Sequence, residues 1–276
     1  MRDSPYSQLD RPPLSAPVLR RALLVPDGLC SEIMVTAETG STNADVAAAA
    51  RGGAAEGLVV VAERQTAGRG RLGRQWTSPP RAGLAFSALL RPRDVPVSRY
   101  AWLPLLAGVA LVETVRRLGE VDAGLKWPND LLIGDRKCAG ILAESIGDGV
   151  VLGVGLNVSL REPELPTPTA TSLLLAGSAC TDRDPLLRAL LRTLAGWYDR
   201  WSEVAGDPEA SGLSAAYHRH CRTLGRQVRV ALPDGSTLGG IASDVDGSGR
   251  LVVTGQDGAS TAVAAGDVVH VRWPDS

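Results

Sequence analysis

Lysine is almost absent from this chain. Of its 29 basic residues only Lys126 and Lys137 are lysines, and its only asparagines are Asn43, Asn129 and Asn157. These five residues fall in three short segments, "GSTN" (40–43), "KWPNDLLIGDRK" (126–137) and "GVGLN" (153–157). Arginine and lysine are not interchangeable where a compact ammonium must approach a phosphate or a carboxylate. Lysines that persist in an arginine-rich chain therefore mark candidate chemistry. A fourth segment, "QTAGRGRLGRQW" (65–76), sits in a stretch carrying Arg64, Arg69, Arg71, Arg74 and Arg81 with no acid between them. Glycines let the backbone wrap closely around a ligand, and guanidinium forks bind phosphate or carboxylate oxygens in pairs. Five uncompensated arginines imply an anionic partner rather than a merely solvated loop.

Gly68, Gly70 and Gly73 satisfy the pattern G-x-G-x-x-G after a valine-rich run. A dinucleotide site needs a helix to open at the third glycine, so that its N-terminus meets the pyrophosphate. Here Gly73 is followed by "RQWTSPPRAG", with two prolines and no helical period, so NAD binding is not expected. No G-x-x-x-x-G-K-[ST] occurs either. In "KWPND", Pro128 sets a turn and holds Trp127 and Asn129 rigidly. Lys126 can meet a phosphate there, and Asn129 with Asp130 can hold Mg²⁺ through oxygen. Lys137 supplies a second ammonium seven residues on; scarcity argues against an ordinary surface lysine. Two other motifs are set aside. "DVDGSG" (244–249) starts like a calcium loop, but Gly255 stands where a bidentate Glu is required, so a hairpin turn is expected. "HRHC" (218–221) lies on one helix with no further ligand cluster, so surface histidines are the simpler account.

The elements around these segments are those of an α+β protein. Strands are expected over 31–39, 57–66 and 83–91, with an alanine-rich helix from Ser41 or Thr42 to Gly52–Gly53 and a longer one over 98–119. Residues 123–160 read as short strands joined by tight turns. A Pro/Thr-rich connector leads to helices near 184–205 and 209–224. From Gly225 short β-runs separated by Asp-Gly turns indicate a small barrel. The expected division is 1–30 as an irregular arm, 31–224 as a catalytic domain and 225–276 as the barrel.

A 276-residue chain with 44% hydrophobic residues can bury a core. Its net charge of −1 gives no general attraction to nucleic acid or to a membrane surface. Cys30, Cys138, Cys180 and Cys221 form no C-x-x-C pair, which fits a reducing compartment. With no apolar signal core and no membrane-length run, a cytoplasmic location is expected.

The four segments "GSTN", "QTAGRGRLGRQW", "KWPNDLLIGDRKCAGIL" and "GVGLN", in this order and spacing, resemble the biotin–protein ligases (biotin–[acetyl-CoA-carboxylase] ligases) over roughly residues 38–276. The resemblance implies a mixed, largely antiparallel sheet with helices on one face, related to class II aminoacyl-tRNA synthetases, followed by an SH3-like barrel. It implies activation of biotin by MgATP to biotinyl-5′-AMP, then transfer to one lysine of a biotin carboxyl-carrier domain. By resemblance, Ser41, Thr42, Asn43 and Gln65 contact the biotin ureido ring. Gly68, Arg69 and Arg71 form the loop that closes over biotin and adenylate, Arg74 reaches the ATP phosphates, and Trp76 orders the loop. Lys126, Asn129 and Asp130 form the phosphate and magnesium corner. Lys137 bridges the biotin carboxylate and α-phosphate, and is the principal catalytic cation alongside Arg71 and Arg69. Gly140, Ile141, Leu142, Gly153 and Gly155 line the biotin slot, Asn157 lies against adenine, and Cys138 replaces an aliphatic residue. With about 30 residues before the first core strand and three prolines among the first 13, no winged-helix module is expected, hence no DNA partner. A monomer or weak dimer is expected. The alternatives are a lipoate or octanoate ligase of the same fold, which the R-G-R-x-G-R loop and "KWPND" disfavour, and a biotin-responsive regulator, which lacks a DNA-reading segment.

Overall fold

The structure is a computed structural model and describes residues 10–26, 28–232, 235–264 and 266–270. The described chain opens with a helix, α1 (Ala16–Leu23), that starts on a proline in its first turn. This corrects the expectation of an irregular arm over 1–30; residues 1–9 lie outside the described residues. Its local sequence is only eight residues long, too short to be helical alone. Tertiary packing supplies the difference, because Leu19 and Leu23 are buried in the main core.

A seven-stranded sheet follows, in the order β1-β2-β5-β9-β8-β7-β6. Its strands are β1 (Glu32–Thr36), β2 (Leu58–Ala62), β5 (Gly83–Leu90), β6 (Ala123–Lys126), β7 (Asp130–Ile133), β8 (Arg136–Ile146) and β9 (Gly149–Asn157). Only β1 and β2 pair in parallel; every other neighbouring pair is antiparallel. The parallel pair is joined by α2 (Thr42–Arg51), as a parallel connection requires. Strand β2 is buried along its whole length. Its Val59 and Val61 belong to the main core, whereas Leu58 and Val60 pack with Val46 of α2, Leu89 and Val151. Alternate residues of a strand face opposite ways, so helices cover both faces of the sheet. The expected one-sided arrangement is thus corrected: among the described helices, α2 lies alone on one face.

The other face is covered by α3 (Leu103–Gly119) and α4 (Arg183–Glu203). Helix α3 is apolar almost all round, since it is sandwiched between the sheet and α4. At Gly108 the helix packs against Leu125 of β6 and Ile141 of β8. Helix α4 is capped by Asp182, whose carboxylate accepts from the Asp184 amide. It turns Leu186, Leu187, Leu190, Leu191 and Leu194 inward. A shorter helix, α5 (Leu213–His220), leads to a five-stranded antiparallel sheet ordered β13-β12-β11-β10-β14. These strands are β10 (Gln227–Ala231), β11 (Thr237–Val245), β12 (Leu251–Thr254), β13 (Ser260–Val263) and β14 (Asp267–His270). This small domain is held to the larger one by buried indoles. Trp102 Nε1 donates to Gly247 O at 3.0 Å and Trp127 Nε1 to Gly249 O at 3.1 Å.

Candidate active site

A cavity of about 610 Å³ opens on the α2 face of the large sheet, beyond the end of that helix. Its size suits a small ligand. The floor is formed where β8 and β9 pair through glycines. Gly140 stands opposite Gly155 and Leu142 opposite Gly153. These glycines do not leave empty space. A Cβ on Gly153 would collide with the Asn43 amide, and one on Gly155 with the Trp76 indole. Their role is to let those two side chains lie directly on the sheet. Ile141 reaches the wall only through its backbone; its side chain is buried in the main core with α3.

One end of the cavity is polar and uncharged. Ser41, Thr42 and Asn43, at the start of α2, meet Gln65 from the segment after β2. The Thr42 amide donates to Gln65 Oε1 at 2.8 Å. Ser87 of β5 lies beneath them, fully buried, with its Oγ 2.7 Å from Thr42 Oγ1 and 2.6 Å from Asn43 Oδ1. Asn43 Nδ2 donates to Glu144 Oε2 at 2.7 Å. Sequence reasoning missed Ser87 and Glu144, although each is a polar residue inside an apolar strand, which is the available signal.

The roof is the glycine–arginine segment. It folds as a small hairpin of β3 (Gly68–Arg69) and β4 (Gln75–Trp76), with Gly68 opposite Trp76. The tip is a single turn over Arg71–Gly73, in which Leu72 and Gly73 have φ of 56° and 72°. Extended backbone follows Gly73, so the helix that a dinucleotide fingerprint demands is absent here. Arg69, Arg71, Arg74 and Trp76 all face the cavity, whereas Gly68 stands behind Gln65 at the hairpin's foot.

The charged corner is built on β6, β7 and β8. Lys137 Nζ lies 2.6 Å from Asp130 Oδ1 and 5.9 Å from the centroid of the Trp76 ring. The register between β7 and β8 slips between Leu131 and Leu132, leaving Cys138 as an extra residue. Cys138 and Ala139 consequently both enter the core. Such a bulge re-aims the side chain beside it, and here it turns Lys137 out of the core and into the cavity. Cys138 behaves as the buried apolar substitute expected of it. It is fully buried, and burial pushes its thiol up to about 12. Asn129 is largely occupied by the protein, since its Nδ2 donates to Ile141 O at 2.9 Å and its Oδ1 accepts from Arg71 Nη1 at 3.4 Å. Among the described residues no group of three or more His, Cys, Asp or Glu side chains is placed to hold a metal ion.

The far wall comes from segments that sequence reasoning had not assigned to the site. The Pro/Thr-rich connector contributes Pro166, Thr167, Thr169 and Ala170. It grips the Lys137 backbone, the Lys137 amide donating to Thr169 O at 2.7 Å and the Thr171 amide to Lys137 O at 2.8 Å. Asn157 donates from Nδ2 to Thr171 O, but its buried Oδ1 has no hydrogen-bond partner. The small domain adds Arg226 and His270. Burial, then the nearby charges of Lys126 and Arg226, lowers the His270 pKa to about 4. In all, Arg69, Arg71, Arg74, Lys126, Lys137 and Arg226 line the cavity against only Asp130 and Asp135. That excess of cations favours a polyanionic ligand.

Residues 41–160 match the model of the biotin/lipoate A/B protein ligase family, and residues 223–271 that of the biotin protein ligase C-terminal domain. The chain is 46% identical to the biotin–[acetyl-CoA-carboxylase] ligase of Mycobacterium tuberculosis, over 95% of this chain and 97% of that one. It is 33% identical to the bifunctional ligase/repressor BirA of Escherichia coli, over 73% of this chain and 63% of that one. Among solved structures, the biotin protein ligase of Aquifex aeolicus in complex with biotin and ATP superposes with a TM-score of 0.74 at 27% identity, covering 88% of this chain and all of that one. Motif order, fold and near-full-length similarity agree: the chain belongs to the biotin–protein ligases of the biotin/lipoate A/B protein ligase family.

Proposed function

We propose that this protein condenses biotin with MgATP to biotinyl-5′-AMP and pyrophosphate, then transfers the biotinyl group to a lysine of a biotin carboxyl-carrier domain of the acetyl-CoA carboxylase type. The observation that carries this reading is the division of one cavity into an uncharged hydrogen-bonding end and a cationic end, with Lys137 and the hairpin's arginines facing the latter. The polar end, Ser41–Asn43 with Gln65, suits a ureido ring, which offers two N–H donors and one oxygen acceptor. The apolar floor between suits a hydrocarbon chain. At the cationic end the biotin carboxylate attacks the α-phosphorus and the bond to pyrophosphate breaks. Two anions must meet there, and the Lys137 ammonium offsets the charge that builds between them. Arg71 and Arg74 extend this compensation along the phosphates, while Lys126 lies at the same corner. Asp130 fits as the one protein ligand of a magnesium ion arriving with ATP, which binds largely through phosphates and water. That ion supplies charge neutralisation. Asn157, in the cavity wall beside Thr169 and Ala170, lies against the adenine in this reading. In the second half-reaction the acceptor lysine amine attacks the acyl carbon and AMP leaves. The hairpin retains the adenylate until then, and water exclusion limits its hydrolysis.

Among the described residues no helix is long and apolar enough to cross a membrane, and the four cysteines are unpaired. Both features are compatible with a reducing cytoplasm. The test is pyrophosphate–ATP exchange with purified protein. Exchange dependent on biotin is expected, followed by label transfer to a carrier domain. Exchange that responds to lipoate but not to biotin would reassign the cavity.

A further inference from the structure

A continuous line of hydrogen bonds runs behind the uncharged end of the cavity and returns to the roof. Gln65 Oε1 accepts from the Thr42 amide. The Thr42 and Ser87 hydroxyls are 2.7 Å apart, and Ser87 Oγ is 2.6 Å from Asn43 Oδ1. Asn43 Nδ2 donates to Glu144 Oε2 at 2.7 Å, and the same carboxylate oxygen lies 3.5 Å from Arg69 Nη2. Thr42, Asn43 and Ser87 are 3%, 5% and 0% exposed, so water does not compete for their bonds. Gln65 and Arg69 are four residues apart, one at the foot of the roof hairpin and one on its first strand.

The direction of this line is set by its end. A carboxylate only accepts, so Asn43 must turn its amide nitrogen to Glu144 and its oxygen to Ser87. The single Ser87 proton then goes to Asn43, and the Thr42 hydroxyl proton is shared between Ser87 Oγ at 2.7 Å and Gln65 Oε1 at 3.1 Å. The Leu142 carbonyl, 3.4 Å from the same nitrogen, is a second and weaker acceptor, so losing the carboxylate weakens that orientation rather than abolishing it. Glu144 also supplies the Arg69 guanidinium with an opposite charge, which holds the hairpin over the cavity. The pair is partly exposed, with side chains 37% and 52% accessible, so it can open and close.

We propose that Glu144 is a positioning residue that ties the ureido end of the cavity to the roof: it orients Asn43 and latches Arg69, so that a correctly filled ureido end and a closed roof support one another. This rests on residues 41–43 and 65 being the biotin ureido wall. Glu144 itself performs no bond-making. The two contacts can be separated, because Glu144→Gln keeps an acceptor for Asn43 but removes the charge facing Arg69, whereas Glu144→Ala removes both.

The experiment uses the full chain and measures biotin KM and kcat in pyrophosphate–ATP exchange. Escape of the adenylate is measured as biotinylation of a bystander protein. In Glu144→Gln, biotin KM is expected within about twofold of wild type while escape rises about tenfold; in Glu144→Ala, KM also rises about tenfold. Arg69→Ala is expected to raise escape, and adding Glu144→Ala to it is expected to raise escape no further. Retention as tight as wild type in Glu144→Gln, or additive escape in the double variant, overturns the proposal. Absence of biotin-dependent exchange in the wild type removes the biotin reading of the cavity itself, and the proposal with it.

Discussion

Lys137 is delivered to the cavity by a local irregularity rather than by strand alternation. In an unbulged β8, two residues of spacing would put Lys137 on the same face as the buried Ala139. The extra residue at Cys138 moves it to the other face, beside Asp130 and the Trp76 ring. Held by Asp130 and stacked near an indole, the ammonium is pre-oriented rather than free to wander, which is what electrostatic stabilisation requires. The prediction at this scale is that Lys137→Ala lowers biotin-dependent exchange by about 10³-fold. The Lys137 side chain is 36% exposed, so the change in unfolding free energy should stay within about 1 kcal/mol. Exchange within tenfold of wild type would remove Lys137 from the adenylation step.

At the scale of elements, the two feet of the roof segment are braced by an ion pair in the core. Glu63 directly follows β2, and its carbonyl accepts from the Arg81 amide at 2.8 Å, so it clasps both ends of residues 64–81. Its carboxylate is 2.6 Å from Arg183 Nη1 at the first residue of α4, and both side chains are over nine-tenths buried. The segment before α1 completes the arrangement. Glu63 Oε1 accepts from the Leu14 amide at 2.6 Å, and Arg183 Nη2 donates to Pro12 O at 2.6 Å. Removing one partner of such a pair strands a buried charge, which costs about 3–5 kcal/mol. Arg183→Ala should therefore lower the urea midpoint of unfolding steeply. A loss below about 1 kcal/mol would show that water reaches Glu63 and that the brace is not a core feature.

At the scale of the whole molecule, the small domain is tied to the site through Thr223. Its Oγ1 accepts from the Trp127 amide at 3.0 Å and lies 3.1 Å from His270 Nε2. The Thr223 hydroxyl keeps its proton and a second lone pair, so it can meet His270 Nε2 as donor or as acceptor. Burial and the charges of Lys126 and Arg226 lower the His270 pKa from 6.5 to about 4. The unfolded chain then binds more protons than the folded one between those values. The contribution is complete above about pH 6.5 and is lost as pH falls towards 4. Opposing it, burial of His218 is outweighed by its bonds to Asp244 and to the Ser214 carbonyl, which raise its pKa. That contribution is complete below 6.5 and fades as pH rises through the raised value. Thermal unfolding between pH 7 and pH 4.5 should therefore show a shallower acid-side loss in His270→Gln than in wild type. An unchanged profile would exclude His270 as a contributor.

Several properties were legible in the sequence because they depend on residue type and local spacing. The scarce lysines and asparagines, the arginine-rich loop with no acid inside it and the turn at Pro128 pointed to nucleotide-like anion chemistry, and the resemblance alone implied adenylation. A strand over 83–91 and a helix near 184–205 were also expected and are β5 and α4. Three things required the tertiary structure. One is the bulge at Cys138, since register is decided between strands and not within one. Another is the use of Gly153 and Gly155, which serve Asn43 and Trp76 from distant elements. The last is the covering of both sheet faces together with the docking of α1. Propensity could not predict that helix, because an eight-residue segment becomes helical only when a core it does not itself contain pays for its ordering.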